Sequence, residues 1–151
     1  TGVYVIDKEV IGKKFKELKR YLKELEKSKD ISLEELSSSL SKQWIICHGL
    51  QLSIQALIDV GNHILAALDE SQIDDYVDII DKLGEKNIIP VEFSRQIRGM
   101  VGLRNILVHE YVNADINKIY EILHNQLADF YNFMNYINQF IEKSYYRQAN
   151  K

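Results

Sequence analysis

The chain has 151 residues, of which 46% are hydrophobic and 27% are charged, which excludes a disordered polypeptide and allows one buried core. The net charge of −3 excludes a strongly basic surface, so a polyanion such as RNA would have to be held at a local site. One proline and 7 glycines leave long runs without turn signals, and we therefore expect a single all-α domain over residues 1–151.

The sequence also bears on the cellular compartment. Cys47 has no second cysteine to pair with, and we assign it a packing role in a reducing compartment. No apolar stretch of signal-peptide length lies within residues 1–14, so we expect a cytoplasmic protein without a membrane partner. The apolar run over 44–68 is interpreted as a buried helix of a soluble protein, because it is interrupted by His48, Gln51, Gln55, Asp59, Asn62 and His63.

The first predicted helix covers residues 7–27. Apolar residues at helical spacing alternate there with Lys and Glu, which is typical of an amphipathic outer helix: Val10, Ile11, Phe15 or Leu18, Leu22 and Leu25. Ser32 and Glu35 then match a capping box that starts a second segment, and the serines at 37–41 are expected to break it before a long helix.

The long helix is expected from about 41 to 68, and its polar residues follow steps of three and four. Such spacing lines up His48, Gln51, Gln55, Asp59 and either Asn62 or His63 as one stripe. One interpretation is a narrow solvent-facing strip. The alternative is a strip that faces a cleft, because Lys and Glu are both absent from it. In the second case Asp59, Asn62 and His63 are supporting or substrate-binding candidates.

Three more helices are predicted in the rest of the chain. One covers 73–86 and ends at Gly84 or Asn87, and Pro90 suits the first turn of the next, which runs to about Leu103. Asn113 and Asp115 are candidate caps for one long final helix. Its apolar residues at three-four spacing are Ile116, Ile119, Leu123, Leu127, Phe130, Met134, Ile137 and Ile141.

The segment RNILVHEY at 104–111 carries the chemistry. Arg104 brings a permanent cation that matches phosphate oxygens, and His109 can take and return protons near neutrality. Cleavage of RNA without a metal needs a base for the 2′-hydroxyl, an acid for the leaving 5′-oxygen and a cation for the phosphorane. We therefore predict a ribonuclease with Arg104 and His109 as catalytic residues.

Helix geometry constrains how these two residues meet. Asn105 and His109 are four apart and share a helix face, whereas Arg104 and His109 are five apart and differ by about 140°. Either Arg104 folds back across a helix end, or two copies of the segment complete one site across a two-fold axis. The second arrangement is a homodimer, which we expect. We assign Asn105 a supporting role.

A local excess of cations surrounds the motif. Between residues 93 and 109 there are three arginines, Arg95, Arg98 and Arg104, and no acid. Arg98 is a candidate contact for substrate, and the alternative is a plain cationic face beside a dimer seam. The sequence lacks a phosphate-binding loop, a zinc-binding HExxH pair and paired metal-binding carboxylates, so we predict neither a cofactor nor a metal.

Arg104, His109 and Tyr111 reproduce the RxxxxHxY signature, and the chain resembles the HEPN toxins of the HepT family. The segment LIDVGNHI at 57–64 is similar to the apolar-Asp-x-x-Asn-His segment of that family, and the likeness extends over about 44–127. The resemblance implies an up-and-down bundle of about five helices that dimerises, with paired motifs at a shared cleft.

The resemblance also implies a function and a partner. These are a metal-independent toxin ribonuclease and a cognate nucleotidyltransferase antitoxin that adenylylates the motif tyrosine, here Tyr111. Two alternatives remain open: a non-catalytic, nucleotide-associated partner of a nucleotidyltransferase, and a helical dimer module in which Arg104 and His109 cap helices or pair with Asp59 or Glu110.

Overall fold

A computed structural model describes residues 6–68, 73, 75–109 and 115–149, without the side chains of residues 109 and 145–149. Within these ranges the chain forms seven helices and no strand. They are α1 (Lys8–Glu26), α2 (Leu33–Ser38), α3 (Leu40–Ala67), α4 (Tyr76–Glu85), α5 (Val91–His109), α6 (Ile116–Asn125) and α7 (Leu127–Ala149). The predicted all-α class is confirmed. The homodimer stays a prediction.

Short polar side chains start most of these helices. Asp7 accepts a hydrogen bond from the backbone N–H of Glu9 at 3.0 Å, and Ser32 accepts one from Glu35 at 3.0 Å. Asp75 and Asp115 serve α4 and α6 in the same way. Each cap satisfies a backbone donor that a helix leaves unpaired at its N-terminus, which fixes where the helix begins.

The connection from α4 to α5 depends on a residue with a left-handed backbone conformation. Asn87 adopts a left-handed conformation with φ of 57°, and the N–H of Ile88 bonds back to the carbonyl of Leu83 at 3.0 Å. Asparagine tolerates this conformation better than most residues, so it ends α4 sharply. Pro90 lies directly before α5 rather than inside its first turn, and its carbonyl accepts a hydrogen bond from the N–H of Ser94 at 3.0 Å.

Helix α3 is the centre of the bundle and packs against α1, α2, α4, α5 and α7. By length and composition it could cross a membrane, but 56% of its most apolar window is buried inside the protein, as in the core helix of a soluble bundle. Cys47 is buried on this helix, and desolvation raises the pKa of its thiol to about 11. A buried, protonated thiol fits the predicted packing role.

The structure differs from further details of the predicted helices, and α4 begins at Tyr76 rather than at residue 73. Val10 is 41% exposed, whereas the other apolar residues predicted for α1 are buried. Helix α5 continues past Leu103 to His109, so the motif from Arg104 to His109 is helical. The predicted final helix is divided in two at Gln126, and the predicted cap at Asn113 lies outside the described residues.

Asp129 is the one acidic residue buried in the described part of the chain, with 5% of its surface exposed. Its carboxylate accepts a hydrogen bond from Gln96 Nε2 at 2.9 Å. Desolvation raises the pKa of Asp129 above its ordinary value, and the bond from Gln96 offsets part of that rise.

We expect Asp129→Asn to increase the free energy of unfolding at pH 7, because the neutral amide keeps an oxygen acceptor for Gln96 and loses the cost of a buried charge. Because the pKa of Asp129 is raised in the folded protein, folding favours the protonated carboxyl. The stability of the wild type therefore falls as pH rises above about 3.9, the pKa of an aspartate in the unfolded chain. The difference in the free energy of unfolding between Asp129→Asn and the wild type should vanish below about pH 3.9. Urea unfolding from pH 3 to 8 measures it.

Asp115→Asn is the matched control, because Asp115 is an exposed cap that asparagine serves equally well. A lower stability of Asp129→Asn than of wild type at pH 7 would contradict the proposed cost of burying this charge.

Candidate active site

Arg104 lies half-buried near the C-terminal end of α5, where three neighbours hold its guanidinium. Its Nε donates to Gln55 Oε1 at 2.8 Å, and one terminal nitrogen donates to Asn105 Oδ1 at 3.1 Å. The guanidinium carbon also stands 4.4 Å from the centre of the Tyr76 ring, which is a cation–π contact. Three contacts from three helices fix the plane of this cation.

No carboxylate among the described residues forms an ion pair with Arg104. Its neighbours are two neutral amides and a ring, which orient the guanidinium without neutralising its charge. An oriented cation that keeps its charge suits a phosphate, since the guanidinium fork matches two phosphate oxygens.

Gln55 is itself held at its other end. Its Nε2 donates to Asp59 Oδ1 at 2.8 Å, and Lys14 Nζ lies 3.5 Å from the second oxygen of Asp59. A chain of contacts therefore links α5 through α3 to α1, in the order Arg104, Gln55, Asp59 and Lys14. Because Asp59 accepts from the amide nitrogen, the amide oxygen of Gln55 must face Arg104.

A cavity of about 490 Å³ opens beside Arg104, between α3, α4 and α5. We call it the Tyr76 cavity, because Tyr76 forms part of its wall next to the guanidinium. Its volume lies in the range of small-molecule sites, which is roughly 300 to 1,000 Å³. Among the described residues, its other walls combine amides, carboxylates and aliphatic side chains: Gln55, Asn62, Asn105, Asp59, Asp75, Ile58, Ile73 and Ile79.

A second cavity, of about 320 Å³, lies on the other side of Asp59 and Asn62, between α1 and α3. His63 lines it together with Lys14. The Nε2 atom of His63 is enclosed and has no hydrogen-bond partner among the described residues, which is uncommon for a buried polar atom. Asp59 and Asn62 line both cavities, so the polar stripe predicted on α3 borders two clefts.

The structure brings together some of the predicted site residues and separates others. Asn105, Asp59 and Asn62 share the Tyr76 cavity beside Arg104, whereas His63 lines the second cavity. Arg98 instead pairs with Asp81 on α4, with Nε 3.0 Å from Oδ1, and this hydrogen bond raises the pKa of its guanidinium. Tyr111 and the side chain of His109 lie outside the described residues.

Two residues of the site, Tyr76 and Lys14, were not identified from the sequence. Tyr76 is adjacent to Arg104 only because α4 packs against α5, and Lys14 reaches Asp59 only because α1 packs against α3. Gln55 had a signal, since it belongs to the polar stripe on α3, but nothing in the spacing paired it with Arg104.

Comparisons with known proteins agree with this fold. The family model described as Ribonuclease HepT-like matches residues 18–137. A tRNA nuclease HepT of Aphanizomenon flos-aquae is 33% identical over 136 residues, which are 90% of this chain and 92% of that protein. An mRNA nuclease HepT of Shewanella oneidensis is 32% identical over 88 residues, which are 58% of this chain and 66% of that protein.

Solved structures show the same architecture. A tri-AMPylated Shewanella oneidensis HEPN toxin in complex with MNT antitoxin superposes with a TM-score of 0.79 and 27% identity, over 88% of this chain and 99% of that one. A toxin–antitoxin with AMP-PNP gives the same TM-score at 26% identity, over 87% of this chain and 98% of that one.

The fold is therefore that of the HEPN toxins of toxin–antitoxin pairs. Because the family model covers most of its length, this chain belongs to the HepT-like ribonuclease family. The HEPN class and the HepT family, which the resemblance in sequence implied, are both confirmed.

Proposed function

We propose that this protein is the toxin of a toxin–antitoxin pair and acts as a metal-independent endoribonuclease in the cytoplasm. The observation that carries the proposal is the arrangement around Arg104. Its guanidinium is held by Gln55, Asn105 and Tyr76, none of which neutralises it, at the edge of an open cavity. The nuclease relatives support the same reaction class.

The proposed reaction is an internal transesterification. His109, or its copy in a second subunit, takes the proton of a ribose 2′-hydroxyl, and the 2′-oxygen attacks the adjacent phosphorus. The bond from phosphorus to the 5′-oxygen breaks, and an imidazolium returns a proton to that leaving oxygen. Arg104 stabilises the extra negative charge of the phosphorane between these two events. The products are a 2′,3′-cyclic phosphate and a 5′-hydroxyl.

In the proposed homodimer, Arg104 of one subunit and His109 of the other act on the same phosphate. Positions 104 and 109 lie on one continuous helix and differ by about 140° around its axis, so one copy of α5 does not aim both at a single phosphate. Ile106 and Val108, between them in sequence, are 39% and 37% exposed. A two-fold axis beside these two side chains would pair two motifs and cover them.

The antitoxin in this proposal is a nucleotidyltransferase that adenylylates Tyr111. The support is the AMPylated HEPN toxin in complex with MNT antitoxin, whose fold this chain shares. Tyr111 is two residues from His109 in sequence. AMP attached there would add bulk and negative charge near the position of the RNA phosphate, and like charges repel. Asn105, Arg98, Asp59, Asn62 and His63 remain proposed supporting residues.

A second candidate is a non-catalytic, nucleotide-associated partner of a nucleotidyltransferase. The observation that favours it is the acidic character of the chain, which carries a net charge of −3, together with Asp59 and Asp75 in the cavity wall. A small nucleotide tolerates nearby carboxylates better than an extended RNA backbone does.

The direct test uses purified protein, short single-stranded RNA and EDTA. We expect cleavage products that end in a 2′,3′-cyclic phosphate, detected by mass spectrometry. Intact RNA after incubation with protein shown to be folded would contradict the ribonuclease and favour the second candidate.

Tyr111→Phe tests the proposed silencing. With a cognate nucleotidyltransferase and ATP, the wild type should gain one or more AMP groups and lose cleavage activity, because the phenol oxygen is the acceptor. Tyr111→Phe should gain none and stay active under the same conditions. Intact-protein mass spectrometry and the cleavage assay together measure this. Tyr120→Phe, a change of the same size on α6, is the control and should still be modified.

A further inference from the structure

The Tyr76 cavity has a composition that suits a base rather than a phosphate. Asp59 and Asp75 line it, and carboxylates disfavour a phosphate inside, whereas Arg104 at its edge favours one just outside. Ile73 and the ring of Tyr76, both half-buried, supply apolar surface, and the amides of Asn62 and Asn105 offer both donors and acceptors. Flat faces and a mixed polar edge are what a nucleobase presents.

The two carboxylates in the cavity wall favour some nucleobases over others. Both oxygens of Asp59 are engaged, one with Gln55 and the other with Lys14. One carboxylate oxygen of Asp75 accepts a hydrogen bond from the N–H of Asp78 and caps α4. Asp75 is exposed and lines the cavity. A carboxylate can accept from the exocyclic amino group of cytosine or adenine, whereas the O4 of uracil is an acceptor and would be repelled.

We infer that the Tyr76 cavity is a subsite for one unpaired RNA base that carries an exocyclic amino group. This base flanks the scissile phosphate on Arg104, and Asp75 selects it. The inference rests on the proposed function for its substrate class. It extends that function to a base preference, which places cytidine above uridine on one side of the cleaved bond.

Asp75→Asn isolates this selection. Asparagine caps helices as well as aspartate does, so α4 keeps its first hydrogen bond while the cavity loses a charge and gains an amide that can also donate. Asp78→Asn is the matched control, because Asp78 lies in the first turn of the same helix and does not line the cavity.

The experiment maps cleavage sites in a randomised single-stranded RNA by sequencing the products. For wild type we expect cytidine to exceed uridine by about fivefold or more at one of the two positions that flank the cut. Asp75→Asn should reduce that ratio to about one, and Asp78→Asn should leave it unchanged. Cleavage by wild type without this bias, or a bias that survives in Asp75→Asn, would overturn the inference while the ribonuclease stands.

A binding measurement separates the inference from the proposed function. Titration with cytidine 5′-monophosphate should shift the side-chain amide signals of Asn62 and Asn105 in the NMR spectrum, at lower concentration than uridine 5′-monophosphate does. If wild type cuts no RNA and still shows this preference, the subsite stands and the ribonuclease falls. If neither nucleotide moves these signals and no cleavage is seen, both are wrong.

Discussion

Arg104→Ala is expected to lower the rate of RNA cleavage by about 100- to 1,000-fold, which is the usual loss when one well-placed electrostatic donor is removed. The reason is that Arg104 is the oriented cation at the edge of the Tyr76 cavity, and within the described residues no carboxylate pairs with it. Initial rates on a short RNA at saturating and at low concentration measure the loss in kcat and in kcat/KM.

Arg95→Ala provides the matched control. Arg95 is on the same helix, is exposed and pairs only weakly with Glu92, at 3.5 Å, so its removal changes the net charge equally and touches neither cavity. We expect it to alter the cleavage rate by less than about threefold. Equal losses in the two variants would contradict a specific role for Arg104 and indicate a general effect of charge.

His109→Ala should lower cleavage by about 100- to 10,000-fold, because it removes a group that moves protons at the reacting oxygens. The double variant Arg104→Ala/His109→Ala should lose little more than the worse single variant, since residues that act as one unit are not additive. Cleavage by His109→Ala at the wild-type rate would exclude His109 as the base or acid.

Gly61→Leu is expected to lower the free energy of unfolding by about 3 kcal/mol, the upper part of the usual cost of overpacking a core. A Cβ at this position would stand 2.8 Å from Ile79 Cγ2 and 3.1 Å from Leu83 Cδ1, both in the buried contact between α3 and α4. A shift of α4 would also change the position of Tyr76 relative to Arg104, so we expect cleavage to fall with stability. Thermal and urea unfolding measure the first effect.

Gly12→Leu is the control for helix propensity. Gly12 lies inside α1, and a Cβ there would meet nothing within 4 Å, so leucine should stabilise the helix by about 0.5–1 kcal/mol. The two variants should therefore change stability in opposite directions. A stable Gly61→Leu protein with unchanged cleavage would show that the contact between α3 and α4 does not position Tyr76.

Local features of the sequence were sufficient for most of the helices and for the motif. The spacing of Leu18, Leu22 and Leu25 predicted a buried face for α1, and Ser32 and Asp115 predicted helix starts. These features involve residues within one or two turns of each other, so the chain order alone displays them. The break at Gln126 had no such signal, because no glycine or proline is near it.

The sequence by itself determined the all-α class, the polar stripe on α3 and the candidate pair Arg104 and His109, because helical periodicity and side-chain chemistry are local properties. Only the tertiary structure decided which residues of other helices hold Arg104. Gln55 is 49 residues away in the chain and Tyr76 belongs to another helix, and both reach the guanidinium through helix packing. Packing depends on how all the apolar faces fit together at once, and no local spacing encodes that fit.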